Sequence, residues 1–142
     1  MIYCDTSVLI ALLVPESQSS RVATFMGDQP RKVLAISGWV EAELQSALSI
    51  KVRSAVLTLE QRADVARIWR RLADNSLVSL EVGHAHFLHA ARLAADPASG
   101  LRGGDALHLA IALSGGHALA TLDHRLANAC EAAGGELALS PR

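Results

Sequence analysis

Apolar and polar positions change period along the chain, and the changes divide it into short elements. Ile2 to Cys4 is an apolar run that reads as a strand, and Ser7 to Val14 reads as a short helix stopped by Pro15. Ser17 to Met26 has helical spacing, and Val33 to Ile36 is a second, wholly apolar strand. Ser37 is placed to cap a helix that runs to about Arg53. Thr58-x-x-Gln61 has the form of a capping box, and the amphipathic stretch behind it extends to about Ala73. Leu77 to Val82 alternates as a half-buried strand does, and a helix over His84 to Ala95 ends at Asp96-Pro97. The last third repeats the pattern: helix Asp105 to Leu113, strand Ala118 to Leu122, helix Asp123 to Ala133, strand Glu136 to Leu139.

Strands that alternate with helices imply a largely parallel sheet covered on both faces. Such sheets bind ligands outside the carboxyl ends of their strands. Asp5 and Asp123 both follow predicted strands, so both are expected along one edge of the sheet.

Asp5, Asp105 and Asp123 all fall at predicted helix starts, where an aspartate caps free N–H groups and complements the helix dipole. Taken singly, each is explained as a cap. Glu43 is not. At about 100° per residue, Val40, Leu44 and Ala47 form the apolar stripe of its helix, and Glu43 lies roughly 60° from the stripe's centre. A carboxylate beside an apolar stripe is costly without a partner. Glu41, in the first turn, reads as solvated. If the four acids converge, their repulsion must be relieved by protons or a cation. An all-oxygen set without histidine or thiolate points to Mg²⁺, with Mn²⁺ possible, rather than Zn²⁺. A water held by such a cation is a nucleophile for phosphodiester hydrolysis.

Composition narrows the class. With 142 residues, 51 % hydrophobic and 19 % charged, the chain fits one domain over 1–142 with a well-filled core and excludes disorder. Aromatics are only 4 %, so aliphatic contacts must fill that core. A net charge of −1 argues against nucleic-acid binding by bulk electrostatics, but acidic metal ligands cancel arginines in that sum. Cys4 and Cys130 have no metal-ligand spacing and read as small buried residues, which suits a reducing compartment. The run VLIALLV is too short for a membrane helix and has an acid before it rather than a basic region. The expectation is a cytoplasmic protein with no membrane segment.

The ordered set DTSVLIALL at Asp5, SGWVEAELQSAL with Glu43, LRGGDALHLAIAL with Asp105 and LATLDHRLANA with Asp123 resembles a PIN domain, more narrowly the VapC-type toxins of bacterial toxin–antitoxin pairs. The likeness spans nearly the whole chain. It implies a three-layer α/β/α sandwich with a mostly parallel central sheet and a Mg²⁺-dependent endoribonuclease that cuts RNA through activated water. By it, Asp5, Glu43, Asp105 and Asp123 form an acidic, metal-holding quartet. Thr6, Ser7 and Thr121 would be nearby hydroxyls that position a carboxylate or a bound water. It also implies a homodimer and a cognate VapB-type antitoxin. Gly103-Gly104 departs from the larger residues many relatives carry there.

Other residues admit blander accounts. His84, His86 and His89 suggest zinc, but only His86 and His89 share a helix face, and no further ligand completes a site. His108, one turn after Asp105, is either a packed core histidine or a support for Asp105. Arg67, Arg70 and Arg71 form a basic helix face. Arg102 and Arg125 stand next to acids of the quartet, where a guanidinium either binds the scissile phosphate or pairs at the surface. A haloacid-dehalogenase-type phosphatase would need an aspartate where Ser7 stands, and a receiver domain would need a late lysine, whereas the only lysines are Lys32 and Lys51. The alternatives kept are a non-catalytic PIN-like RNA-binding or scaffold protein, which should have lost acids of the quartet, and a housekeeping PIN nuclease.

Overall fold

The computed structural model describes residues 1–141. The elements run β1 (Ile2–Cys4), α1 (Thr6–Leu13), α2 (Ser19–Gly27), β2 (Leu34–Ser37), α3 (Gly38–Arg53), α4 (Leu59–Ser76), β3 (Val78–Leu80), α5 (His84–Ala95), α6 (Gly103–Ser114), β4 (Ala118–Ala120), α7 (His124–Ala132) and β5 (Leu137–Leu139). Five strands form one sheet in the order β3-β2-β1-β4-β5, and every pairing is parallel. Ile2 pairs with Leu34 on one side and Ala118 on the other, so β1 is the central strand. Its Tyr3 and Cys4 are fully buried, as a strand covered on both faces requires.

Strand order fixes the layers. From β1 the chain steps outward to β2 and β3 through α1–α2 and α3–α4. It then crosses back over β2 and β1 through α5–α6 to reach β4, and continues to β5 through α7. Right-handed crossovers put the helices of opposite steps on opposite faces. The packing agrees: α1 touches α2, α3 and α4, whereas α6 touches α5 and α7. The chain therefore reverses direction between β1 and β4, and a crevice opens beyond the carboxyl ends of those two neighbours. Helix α6 is buried continuously from Ala106 to Ala112, which explains why its sequence is apolar on all sides.

Several boundaries differ from the sequence expectations for identifiable reasons. Thr58 does form a capping box with Gln61, but α4 continues to Ser76. Ser37 holds the N-cap position of α3 without a side-chain cap bond, because its hydroxyl pairs with Tyr3 Oη at 2.8 Å instead. Helix α6 begins two residues before Asp105, so Gly103-Gly104 is helix rather than loop and Asp105 does not open it. Among the described residues, no helix is long and apolar enough to cross a membrane.

Candidate active site

Asp5 sits where β1 passes into α1. Its extended backbone, at φ −78° and ψ 175°, makes it the N-cap of α1, and its Oδ1 accepts the Val8 N–H at 3.2 Å. Capping does not account for the rest of its environment. Ser7 Oγ donates to the same oxygen at 2.5 Å, and Thr121 Oγ1 donates to Oδ2 at 2.6 Å. The carboxyl is 3 % exposed, and burial pushes its pKa above the ordinary value despite the opposing pull of His108 and these donors.

Asp123 follows β4 and caps α7, with Oδ1 accepting the Leu126 N–H at 2.8 Å. Its own N–H donates to Thr121 Oγ1 at 3.0 Å, and the Leu122 N–H donates to Ser7 Oγ at 2.8 Å. Two hydroxyls thus tie the end of β1 to the end of β4. Asp123 is itself exposed.

Glu43 reaches the same place from α3. Its Oε2 accepts from Thr6 Oγ1 at 2.5 Å and pairs with His108 Nε2 at 2.6 Å. Burial raises its pKa, but the hydrogen bonds from His108 and Thr6 outweigh burial and hold the carboxyl below its ordinary range. Asp105, half-buried near the start of α6, has the opposite shift. Burial raises it first and the charge of Asp123 raises it further, with Glu43 adding to the push against His108.

The four acids line one cleft of about 500 Å³, together with Thr6, Ser7, Trp39 and His108. Among the described residues, no three His, Cys, Asp or Glu side chains already stand in ligating positions around one point. The donor set nonetheless fits a hard divalent cation. It is all oxygen, it draws on both helix layers at the crevice between β1 and β4, and Asp105 carries the electrostatic strain of uncompensated neighbours. Ordered hydroxyls hold Asp5 in one orientation, as ligating carboxylates require.

Arg102 and Arg125 border an adjoining depression that shares Asp105 and Asp123 with the main cleft. Both are exposed, and among the described residues neither forms an ion pair. Arg125 runs along the loop at Gly100, where an added Cβ would lie 3.4 Å from Arg125 Cδ.

The expectations for Glu41 and for His108 as a support of Asp105 are corrected. Glu41 is half-buried rather than solvated, because its Oε2 accepts Trp69 Nε1–H at 2.6 Å and its Oε1 accepts from Gln45. His108, 2 % exposed, bonds Glu43 and not Asp105. His86 Nδ1 accepts the Gly83 N–H and His89 pairs with Ser114, so these two histidines of α5 have separate partners. Arg67 pairs with Asp64 on its own helix. Cys4 and Cys130 are free and buried, and burial pushes the Cys4 thiol up to about 12.

Sequence reasoning missed Tyr3 and Trp39 as parts of the site and misread Gly104. A Cβ on Gly104 would lie 3.1 Å from Trp39 Cζ2 and 3.2 Å from Glu43 Oε1, so glycine there admits the indole and the carboxylate together. The available signal was His108, the one polar residue in the otherwise apolar stretch from Ala106 to Leu113.

Comparison with known proteins identifies the family and the fold. The PIN domain family matches residues 2–132. Ribonuclease VapC45 of Mycobacterium tuberculosis is 33 % identical over 144 aligned positions, covering 94 % of this chain and 92 % of the relative. Two solved structures share the fold. The first is Mycobacterium tuberculosis VapC20, a sarcin–ricin loop-cleaving toxin, with TM-score 0.71, 18 % identity and coverage of 91 % and 95 % of the two chains. The second is VapBC2 from Rickettsia felis, bound to a DNA fragment from its promoter, with TM-score 0.61, 21 % identity and coverage of 90 % and 92 %.

Proposed function

The chain belongs to the PIN-domain family, with the VapC ribonucleases as its relatives, and from that premise we propose that it is a Mg²⁺- or Mn²⁺-dependent endoribonuclease serving as the toxin of a VapBC-type pair. One observation carries the reading. Four acids from four separate segments line a single cleft at the crevice between β1 and β4, and two of them have raised pKa values. A scaffold that had given up catalysis would have no need to keep four costly carboxylates together.

Asp5, Asp105, Asp123 and Glu43 would hold the cation. When bound, such an ion supplies a water of lowered pKa and positive charge for the phosphate oxygens in the transition state. Thr121 and Ser7 fix the orientation of Asp5, and Thr6 and His108 fix that of Glu43. Arg102 and Arg125 flank the acids where the phosphate backbone of RNA would lie, and a guanidinium grips phosphate with two parallel bonds. No side chain acts as a covalent nucleophile.

The partnership reading extends to a VapB-type antitoxin and a homodimer. It is supported by Ile50, Val56, Leu59 and Ile68, four exposed apolar side chains on α3, α4 and the turn between them.

The test is cleavage of RNA in Mg²⁺ by the wild type and by Asp5→Asn. The wild type should cut and the variant should not, and full cleavage by Asp5→Asn would sink the mechanism. Expression of the wild type should arrest growth and Asp5→Asn should not; cleavage without growth arrest would instead indicate a housekeeping nuclease.

A further inference from the structure

Glu43 is tied to the opposite helix layer. It stands on α3, and His108, whose Nε2 lies 2.6 Å from Glu43 Oε2, stands on α6 one turn after Asp105. The imidazole is itself held on its other side, where Nδ1 lies 3.0 Å from Tyr3 Oη, and Tyr3 Oη lies 2.8 Å from Ser37 Oγ. Buried Ser37, Tyr3 and His108, with half-buried Glu43, form a line from the end of β2, across β1, to the wall of the cleft. The Tyr3 and His108 rings pack 5.8 Å apart at 45°, which restricts the imidazole further.

Hydrogen-bonding capacity fixes one direction in this line. An ionised carboxylate only accepts, so Nε2 carries a hydrogen and donates it to Glu43. The tyrosine hydroxyl both donates and accepts, so it suits Nδ1 whichever form the ring takes. Thr6 Oγ1 donates to the same Glu43 oxygen. Oε2 is therefore occupied twice, while Oε1 has no hydrogen-bond donor among the described residues and lies toward Gly104, where a Cβ would come within 3.2 Å.

We propose that His108, locked by Tyr3, is a positioning residue that makes Glu43 present a single oxygen, Oε1, to the cation. The inference rests on the metal-dependent reading above and goes beyond it, because it assigns roles to His108 and Tyr3 and distinguishes the two Glu43 oxygens. Both Asp105 and the residue that orients Glu43 then belong to one helix, so α6 sets two of the four ligands together.

The experiment is Mn²⁺ binding by calorimetry in the absence of RNA, followed by kcat and KM for RNA cleavage. The variants are His108→Gln, His108→Asn, Tyr3→Phe and Asp5→Asn. A glutamine amide reaches the place of Nε2, whereas an asparagine amide reaches only that of Nδ1. His108→Asn should weaken Mn²⁺ by about 10–100-fold, the range seen when a ligand loses its supporting hydrogen bond. It should lower kcat with KM unchanged. His108→Gln should recover most of both, and Tyr3→Phe should fall between. Wild-type Mn²⁺ affinity in His108→Asn, or equal losses in the Asn and Gln variants, would overturn the proposal. Should both His108 variants fail to fold, Tyr3→Phe decides: undiminished Mn²⁺ affinity in it overturns the proposal, and a loss supports it. Asp5→Asn separates the two levels. If it retains Mn²⁺ binding, the metal reading itself fails; if it loses binding while His108→Asn does not, only the positioning role fails.

Discussion

Thr121 stands between two acids of the cleft: its Oγ1 donates to Asp5 Oδ2 at 2.6 Å and accepts the backbone N–H of Asp123 at 3.0 Å. One hydroxyl thus spans the ends of the two neighbouring strands. Thr121 is fully buried, so water does not replace it when it is removed.

Thr121→Val keeps the shape and deletes the hydroxyl. Asp5 Oδ2 and the Asp123 N–H lose a partner in a dry place, a cost of about 1–3 kcal/mol. Urea unfolding should report that loss, and RNA cleavage should fall as well. Thr121→Ser should restore both. Unchanged stability and cleavage in Thr121→Val would remove Thr121 from the site.

Two glutamates on α3 should separate cleanly. Glu41 accepts from buried Trp69, so Glu41→Ala strands an indole N–H and should cost about 1–3 kcal/mol while cleavage persists. Glu43→Gln should abolish cleavage with a smaller effect on unfolding. If the two variants change the same quantity, the division of roles between first-turn and cleft glutamate is wrong.

Gly104→Ala sets two effects against each other. Alanine gains about 1 kcal/mol of helix propensity over glycine. Its Cβ, 3.1 Å from Trp39 and 3.2 Å from Glu43 Oε1, costs about 1–3 kcal/mol if neighbours must move. The net change in stability should therefore lie between about zero and a loss of about 2 kcal/mol. Glu43 has little room to yield, because Thr6 and His108 hold its other oxygen, so cleavage should fall further than stability does. Paired melting and cleavage assays measure the contrast.

Asp105→Asn should stabilise the metal-free protein near neutral pH while abolishing cleavage. The sign follows from its raised pKa. A carboxyl whose folded value lies above its unfolded value binds more protons when folded, so its ionisation opposes folding as pH rises through that interval. Asparagine removes the penalty. The gain in melting temperature should be largest above the raised pKa and should vanish as the pH drops below the ordinary carboxylate value of 3.8. Melting curves in chelator across this range test it, and a variant no more stable than wild type at neutral pH contradicts it.

What could be read from the sequence was local. Asp5 after an apolar run and Asp123 before a helix are signals carried by adjacent residues, and both acids do cap helices at strand ends. The errors arose where a distant residue took over a local role. Ser37 looked like a cap until Tyr3, 34 positions away in sequence, claimed its hydroxyl. Glu41 looked solvated because Trp69 lies 28 positions away, and His108 has its partner 65 positions away. The sequence pattern starts this helix at Asp105, behind Gly103-Gly104, because glycine is a poor helix former, and packing overrides that preference. The four acids could be identified from the sequence, but the network that orients them could not.

The place of β4 in the sheet also fixes when the cleft is completed during synthesis. It is made late, yet it inserts beside the first strand and brings Thr121 and Asp123 with it. A growing polypeptide that has not yet reached β4 contains Asp5, Glu43 and Asp105 but lacks the hydroxyl that anchors Asp5 and one wall of the cleft. Under the proposed function, order of translation would work as a safety catch, because a chain short of β4 lacks Asp123 and the hydroxyl that anchors Asp5.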